Sequence, residues 1–127
     1  MKNGKVISIV TIAIKKNEKF LLLKDNKRDV WRFPSKKFDE NLNGNLDDTV
    51  KRMLGAIIDL KREEIDYLGS FLRKKNNRIF IGYNFLIEEF ESNILPKVYK
   101  WGAREEIENI KLDKNTSTFL KLHSDLI

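Results

Sequence analysis

The feature that most constrains the fold is a run of apolar and β-branched residues near the start of the chain, residues 6–15. Its apolar side chains are not confined to alternate positions, so the strand that they predict must be covered on both faces. The run is too short to cross a bilayer, which takes roughly 20 apolar residues, and no small-residue cleavage site follows it. We therefore expect a buried central strand, and a soluble, cytoplasmic protein with no membrane contact.

Further strands and helices are predicted along the rest of the chain. The strands cover residues 19–24, 30–33, 64–75, 78–89 and 99–102. Pro34 ends the short third strand, because the residue before a proline disfavours helix, and Asn76-Asn77 joins the two long strands as a hairpin turn. Helices are predicted at residues 46–58, 103–110 and 116–126. This order predicts one α/β (α+β) domain over residues 1–127, with a mixed central sheet and helices on both faces.

The helix at residues 46–58 has the clearest pattern. Asn45 is placed to cap it, with Asp48 three residues later in a capping-box arrangement. Its apolar side chains recur every three or four residues and so form one broad face. They are Leu46, Val50, Met53, Leu54, Ile57 and Ile58.

Several segments together resemble the Nudix (MutT-like) hydrolase superfamily. They are Trp31-Arg32-Phe33-Pro34, the capped helix that carries Arg52, and Tyr99-Lys100-Trp101 followed by Glu105-Glu106-Ile107. The resemblance covers nearly the whole chain in order and length. It implies a Nudix-like α/β/α sandwich. It also implies cleavage of a nucleoside diphosphate linked to another group, with Mg²⁺ or Mn²⁺ held by carboxylates on one helix face.

The residues that carry this chemistry in the family are replaced here. In the resemblance, the family's glycine pair falls on Ser35 and Lys36, and its lysine is kept as Lys37. Its arginine falls on Arg52, its three helix glutamates on Met53, Ala56 and Ile57, and its closing glycine on Asp59. None of the three residues at the glutamate positions can bind a divalent cation. We therefore expect no catalytic residue and no cofactor, and a domain that binds a nucleotide, RNA or a partner protein.

Two other functions stay open from the sequence. A hydrolase with a displaced Mg²⁺ or Mn²⁺ site would draw on Asp39, Asp48 and Glu91 as weak candidates, together with Glu40. A structural or regulatory subunit would instead extend the apolar helix face, through Met53, Ala56 and Ile57, into an interface with a partner or a second copy of the chain.

Basic and aromatic side chains supply the candidates for ligand binding. They are Trp31, Arg32, Lys36, Lys37, Arg52, Arg73, Lys75 and Arg78. The last three crowd the hairpin tip near Phe71 and Phe80, a combination typical of single-stranded nucleic-acid binding. The net charge of +6 favours anionic partners, although a solvated turn that blunts an edge strand explains the same tip. The absence of cysteine excludes thiolate metal sites and cysteine nucleophiles.

Overall fold

The computed structural model describes residues 5–38, 45–57, 65–88, 94, 99–125 and 127. These residues form seven strands and three helices. The strands are β1 (Lys5–Lys16), β2 (Lys19–Asp25), β3 (Val30–Arg32), β4 (Ser35–Phe38), β5 (Asp66–Lys75), β6 (Arg78–Ile87) and β7 (Tyr99–Ala103). The helices are α1 (Leu46–Ile57), α2 (Arg104–Ile107) and α3 (Lys114–Leu122).

Strand β1 lies at the centre of a mixed sheet whose main order is β3-β2-β1-β6-β5. It pairs in parallel with β6 along its length. On its other edge it pairs with β4 near its start and with β2 near its end, both antiparallel. Strand β7 adds to the far side of β2. The mixed sheet predicted from the sequence is confirmed.

Helices pack on both faces of this sheet. On one face, here called the α1 face, Val10, Ile12 and Ile14 of β1 share a buried core with the apolar stripe of α1. On the opposite face, here called the α3 face, Ala13 of β1 is buried with Phe119 of α3. The prediction of a central strand covered on both sides is therefore confirmed.

The ends of the helices follow from their capping groups. The Asn45 side chain accepts a hydrogen bond from the backbone N–H of Asp48, 2.8 Å away, as predicted for the start of α1. Helix α3 begins two residues earlier than predicted, because the Asp113 carboxylate accepts from the backbone N–H of Thr116 at 2.9 Å and so acts as the N-cap. Helix α2 is a single turn rather than the predicted 103–110, since residues 108 and 109 form a turn.

The sequence analysis did not predict β4. Its residues carry no alternating apolar pattern. The strand forms because the free edge of β1 supplies backbone partners from Ser8 to Thr11. Within the part of the chain that the structure describes, no helix is long and apolar enough to span a membrane.

Candidate functional site

The helix positions that correspond to the family's glutamates lie largely inside the protein. Met53 is 4% exposed and Ile57 is 8% exposed, and both belong to the core between α1 and the sheet. Ala56 is exposed on the outer side of the helix. A carboxylate at either buried position would face aliphatic side chains, which offer a divalent cation no oxygen ligands. This burial bears on one alternative left open from the sequence, the interface through Met53, Ala56 and Ile57. Two of these residues pack in the chain's own core, and Ala56 alone of the three is exposed.

The described acidic residues do not assemble a substitute metal site. Across residues 5–38, 45–57, 65–88 and 99–125, no group of three His, Asp or Glu side chains lies close enough to hold an ion. Asp48 is exposed in the first turn of α1. Asp39, Asp59 and Glu91 lie outside the described residues. The described residues therefore do not fit the Mg²⁺ or Mn²⁺ centre that the resemblance implies.

Arg32 is the basic side chain on the α1 face with unused hydrogen-bonding capacity. In the strand register, Arg32 of β3 lies beside Leu23 of β2, and Tyr99 of β7 lies beside Leu23 on the other edge of β2. The Arg32 Nε atom is buried and has no hydrogen-bond partner among the described residues. A guanidinium group in this state gains from a planar anionic or carbonyl partner, which it can bind through two parallel N–H groups.

Trp31 points to the opposite face from Arg32 and is half buried. The ammonium groups of Lys24 and Lys100 each lie 5.1 Å from the centre of its indole ring. Lys24 is also paired with Asp29 at 2.6 Å. Trp31, which the sequence named as a ligand-binding candidate, is therefore already in contact with two cations of its own chain.

The adjacent candidates Lys36 and Lys37 are separated by the sheet. Lys36 lies opposite Val10 and Lys37 opposite Ile9, so their side chains leave β4 on different faces. Lys36 is on the α1 face and Lys37 on the α3 face. They are neighbours in the sequence, and the strand that separates their side chains depends on pairing with β1.

A basic cavity lies on the α3 face, between the β5–β6 hairpin and the start of α3. Its volume is about 570 Å³. Five cationic side chains line it from the α3 face, and Asp113 is the one acidic residue among the described lining residues. The cations are Arg28, Lys37, Arg73, Lys75 and Lys114. Lys74 also borders the cavity, but the register pairs it with Ile79 and so places its side chain on the α1 face. The structure thus brings Lys37 together with Arg73 and Lys75, which the sequence grouped only with each other and with Arg78 at the hairpin tip.

The other candidates lie apart from this cavity. Arg52 is exposed on α1 and its Nε donates to the backbone oxygen of Asp48 at 3.4 Å. Arg78 lies at the hairpin tip opposite Lys75. The sequence analysis missed Arg28 and Lys114, which come from a turn and from the first residue of α3. No sequence signal connects these two positions, because only the tertiary fold brings them together.

The floor of the basic cavity is formed by Arg73. Its guanidinium carbon lies 4.6 Å from the centre of the Phe80 ring, and its Nη2 donates to Asn115 Oδ1 at 3.5 Å. Its Nε is buried without a partner among the described residues. The guanidinium is therefore held in place while part of its hydrogen-bonding capacity stays unused.

His123 is a buried structural residue on the same face. Its Nε2 lies 2.9 Å from Nδ2 of Asn84, which fits a neutral ring that accepts a hydrogen bond from the amide. Burial lowers the pKa of His123, because a charged ring would lose hydration. The contact with Asn84 explains the place of His123 in the fold.

Comparison with known proteins identifies the fold. No protein-family model matches the sequence, and no curated protein matches it significantly. Solved structures do match. A MutT protein from Methanosarcina mazei has a TM-score of 0.76 at 18% identity, covering 98% of this chain and 97% of that one. The protein therefore has a Nudix-like fold, and identities this low show the fold alone.

Two further matches illustrate what this fold binds elsewhere. The NUDIX domain of Shewanella oneidensis NrtR, solved with ADP ribose, has a TM-score of 0.73 at 14% identity, covering 100% of this chain and 91% of that one. The C-terminal domain of mouse MUTYH, solved in complex with human PCNA, has a TM-score of 0.74 at 12% identity, covering 94% of this chain and 88% of that one.

Proposed function

We propose that this protein is a non-hydrolytic Nudix-like domain that binds a phosphate-bearing ligand, a nucleotide or RNA. The observation that carries the proposal is the burial of Met53 and Ile57 in the apolar core. In the resemblance, these positions hold carboxylates that bind divalent cations. The described residues offer no other group of acidic side chains in their place.

Two features of the charge distribution support an anionic ligand. The basic cavity gathers five cations, of which Arg28 is paired with Asp25 at 3.1 Å. The one carboxylate among its described lining residues, on Asp113, is already engaged as the cap of α3. On the other face, Arg32 keeps a buried Nε without a partner among the described residues. Phosphate oxygens can neutralise the first site and bond to either guanidinium group.

The solved structures are compatible with this ligand class. The NUDIX domain of NrtR was solved with ADP ribose, so a domain of this fold can accept a nucleoside diphosphate compound. We carry over the ligand class alone, because 14% identity does not transfer the binding residues.

Hydrolysis and binding must be measured separately. We would follow phosphate release from nucleoside triphosphates, ADP-ribose and a capped dinucleotide, with Mg²⁺ or Mn²⁺, at high protein concentration. The same panel and a short RNA would be titrated calorimetrically without divalent cations. We expect no metal-dependent release, and we expect binding that weakens as salt is raised.

A matched control guards against contaminating enzymes. The double variant Arg73→Gln, Arg32→Gln should lose affinity for the phosphate compounds. Activity from a contaminating enzyme would be the same in preparations of the variant and of the natural protein. Metal-dependent turnover that copurifies with the natural protein through successive columns would overturn the proposal. It would mean that carboxylates such as Asp39 and Glu91 supply a displaced metal site. Absence of binding by every phosphate compound would overturn it as well.

A partner protein is a second candidate, and one surface favours it. Leu72 is 62% exposed and Val6 is 56% exposed, and the register places both on the α1 face with Ile79 and Ile81 between them. The MUTYH domain of the same fold was solved in complex with PCNA. A Leu72→Lys variant would weaken a protein complex and leave phosphate binding unchanged, which separates the two functions.

A further inference from the structure

We propose that the basic cavity on the α3 face binds the phosphodiester backbone of a single-stranded nucleic acid, with Arg73 as its anchor. The proposal rests on the proposed function and specifies its site and its ligand. It places binding on the sheet face opposite α1, away from the positions that correspond to the Nudix glutamates.

The anchor is preorganised by its contacts. Phe80 lies under the Arg73 guanidinium, and Asn115 holds one of its terminal nitrogens. The buried Nε is not accessible to a ligand, so a phosphate would bind through the terminal nitrogens of the guanidinium. Because Phe80 and Asn115 already restrain the side chain, that binding would cost little side-chain freedom.

The rim of the cavity supplies the charge. Lys37, Lys75 and Lys114 are exposed, and none forms an ion pair with another described residue. Mutual repulsion among these ammonium groups is unfavourable and is relieved when an anion enters. Lysines that served only to keep the protein soluble would not need to surround one recess.

The wall formed by the start of α3 is fixed to the sheet. Trp31 exchanges backbone hydrogen bonds with the segment before the helix, to Lys111 at 2.9 Å and from Asp113 at 3.1 Å. The backbone N–H of Phe33 donates to the buried Thr116 hydroxyl at 3.0 Å. The position of this wall relative to β3 is therefore set by the fold.

The arrangement of the cations favours a strand over a mononucleotide. On the α3 face, the pair Lys75 and Arg78 follows the pair Arg73 and Phe80 along the hairpin, about 7 Å further out because two residues separate them. Positive charge thus continues from the cavity to the hairpin tip. A chain of phosphates can use the whole track, whereas a single nucleotide can use only part of it.

The aromatic residues predict binding without base preference. One face of Phe80 is covered by Arg73, and the Phe71 ring occupies the space where a Cβ on Gly82 would lie. These rings are engaged within the protein, so the charge on the backbone supplies the affinity. A duplex is a rigid cylinder and cannot enter a recess of about 570 Å³, whereas a single strand can.

The test compares two triple variants that remove equal charge. The cavity variant is Lys37→Gln, Arg73→Gln, Lys114→Gln, and the control variant is Lys16→Gln, Lys19→Gln, Lys51→Gln, all three exposed and outside the cavity. Affinity for fluorescent 12-nucleotide oligo-U and oligo-dT is measured by anisotropy over a salt series. A 12-base-pair duplex and inorganic triphosphate serve as further ligands, and circular dichroism checks the fold.

We expect the cavity variant to reduce the slope of log affinity against log salt by about 2, because each contact with a single strand contributes about 0.7. If binding extrapolated to 1 M salt is unchanged, the affinity at 0.1 M falls about 100-fold. The control variant should keep the natural slope. A cavity variant that fails to fold is replaced by Lys37→Gln, Lys114→Gln, both exposed, with an expected change of about 1.4 in slope.

Several outcomes would overturn the inference. Equal losses in the cavity and control variants would mean that net charge alone attracts the strand. Preferential binding of the duplex would contradict the recessed site. Binding of triphosphate without binding of either oligonucleotide would refute the strand while leaving the proposed function standing, and binding of no phosphate compound would refute both. Similar affinity for oligo-U and oligo-dT would support backbone recognition.

Discussion

Replacing Met53 with glutamate tests whether α1 can still carry the chemistry of a Nudix helix. Met53 is 4% exposed and packs against the core of the α1 face. In the resemblance, this position holds one of the metal-binding glutamates. If the position opens to a cleft, Met53→Glu restores a family residue at little cost. If it faces the core, the same change buries a carboxyl group among aliphatic side chains.

The structure sets the size of the expected effect. Losing the burial of a methionine side chain costs about 1.5–3 kcal/mol. Burying a protonated carboxyl group without a hydrogen-bond partner adds about 1–3 kcal/mol. We therefore expect Met53→Glu to lower the free energy of unfolding by about 3–6 kcal/mol, a large part of the roughly 5–15 kcal/mol that stabilises a typical domain.

The effect should also depend on pH. Burial raises the pKa of the introduced carboxyl group above its ordinary value of about 4.3. The unfolded chain then loses its proton at a lower pH than the folded protein does. Between these two pKa values the folded state loses stability as the pH rises, so Met53→Glu should be more destabilising at pH 7 than at pH 4.5.

Urea unfolding of Met53→Glu and Ala56→Glu measures this directly. Ala56 is exposed on the same helix, and its variant has the same charge change, so it should stay within about 0.5 kcal/mol of the natural protein. With a dependence of about 1.5 kcal/mol per molar urea, the midpoint of the Met53 variant should fall by about 2–4 M. A loss below 1 kcal/mol for Met53→Glu would show that the position faces solvent. The argument against a metal site on α1 would then fail.

Three further predictions concern the α3 face. Because burial lowers the pKa of His123, the unfolded chain takes up a proton before the folded protein does as the pH falls through about 6.5. The stability of the folded state should therefore drop below that pH. His123→Gln should remove this part of the pH dependence of the melting temperature. Asp113→Ala removes the cap of α3 and should cost about 0.5–2 kcal/mol in urea unfolding, whereas Asp113→Asn should cost less. Gly82→Ala forces the Phe71 ring out of its place and should lower the free energy of unfolding by about 1–3 kcal/mol. A smaller loss when Gly82→Ala is combined with Phe71→Leu would confirm that the clash with the ring is the cause.

Local sequence patterns predicted much of the fold. The hairpin turn at Asn76-Asn77 was correct, since Asn76 adopts a positive φ of 57°, which asparagine tolerates better than most residues. The apolar stripe of α1 was also correct in register, from Val50 to Ile57. Both features depend on residues close in sequence, so their periodicity and turn chemistry are visible without a structure.

The candidate site was predicted less completely. Lys37, Arg73 and Lys75 were named from the sequence, but as members of two separate groups. They come close to Lys114 only because the strands pair across the sheet and α3 packs against it. Lys36 and Lys37, both named as ligand-binding candidates, are neighbours in the chain, but the formation of β4 sends their side chains to opposite faces.

The sequence by itself determined the residue types available to this protein. It excluded cysteine chemistry, placed Met53 and Ile57 where the resemblance has glutamates, and set a net charge of +6. The tertiary structure decided where those residues act. Long-range pairing joined cations from β4, β5 and α3 around one cavity, and packing buried the two apolar residues of α1. Charge and polarity belong to single residues, whereas burial and proximity arise only when distant segments of the chain come together.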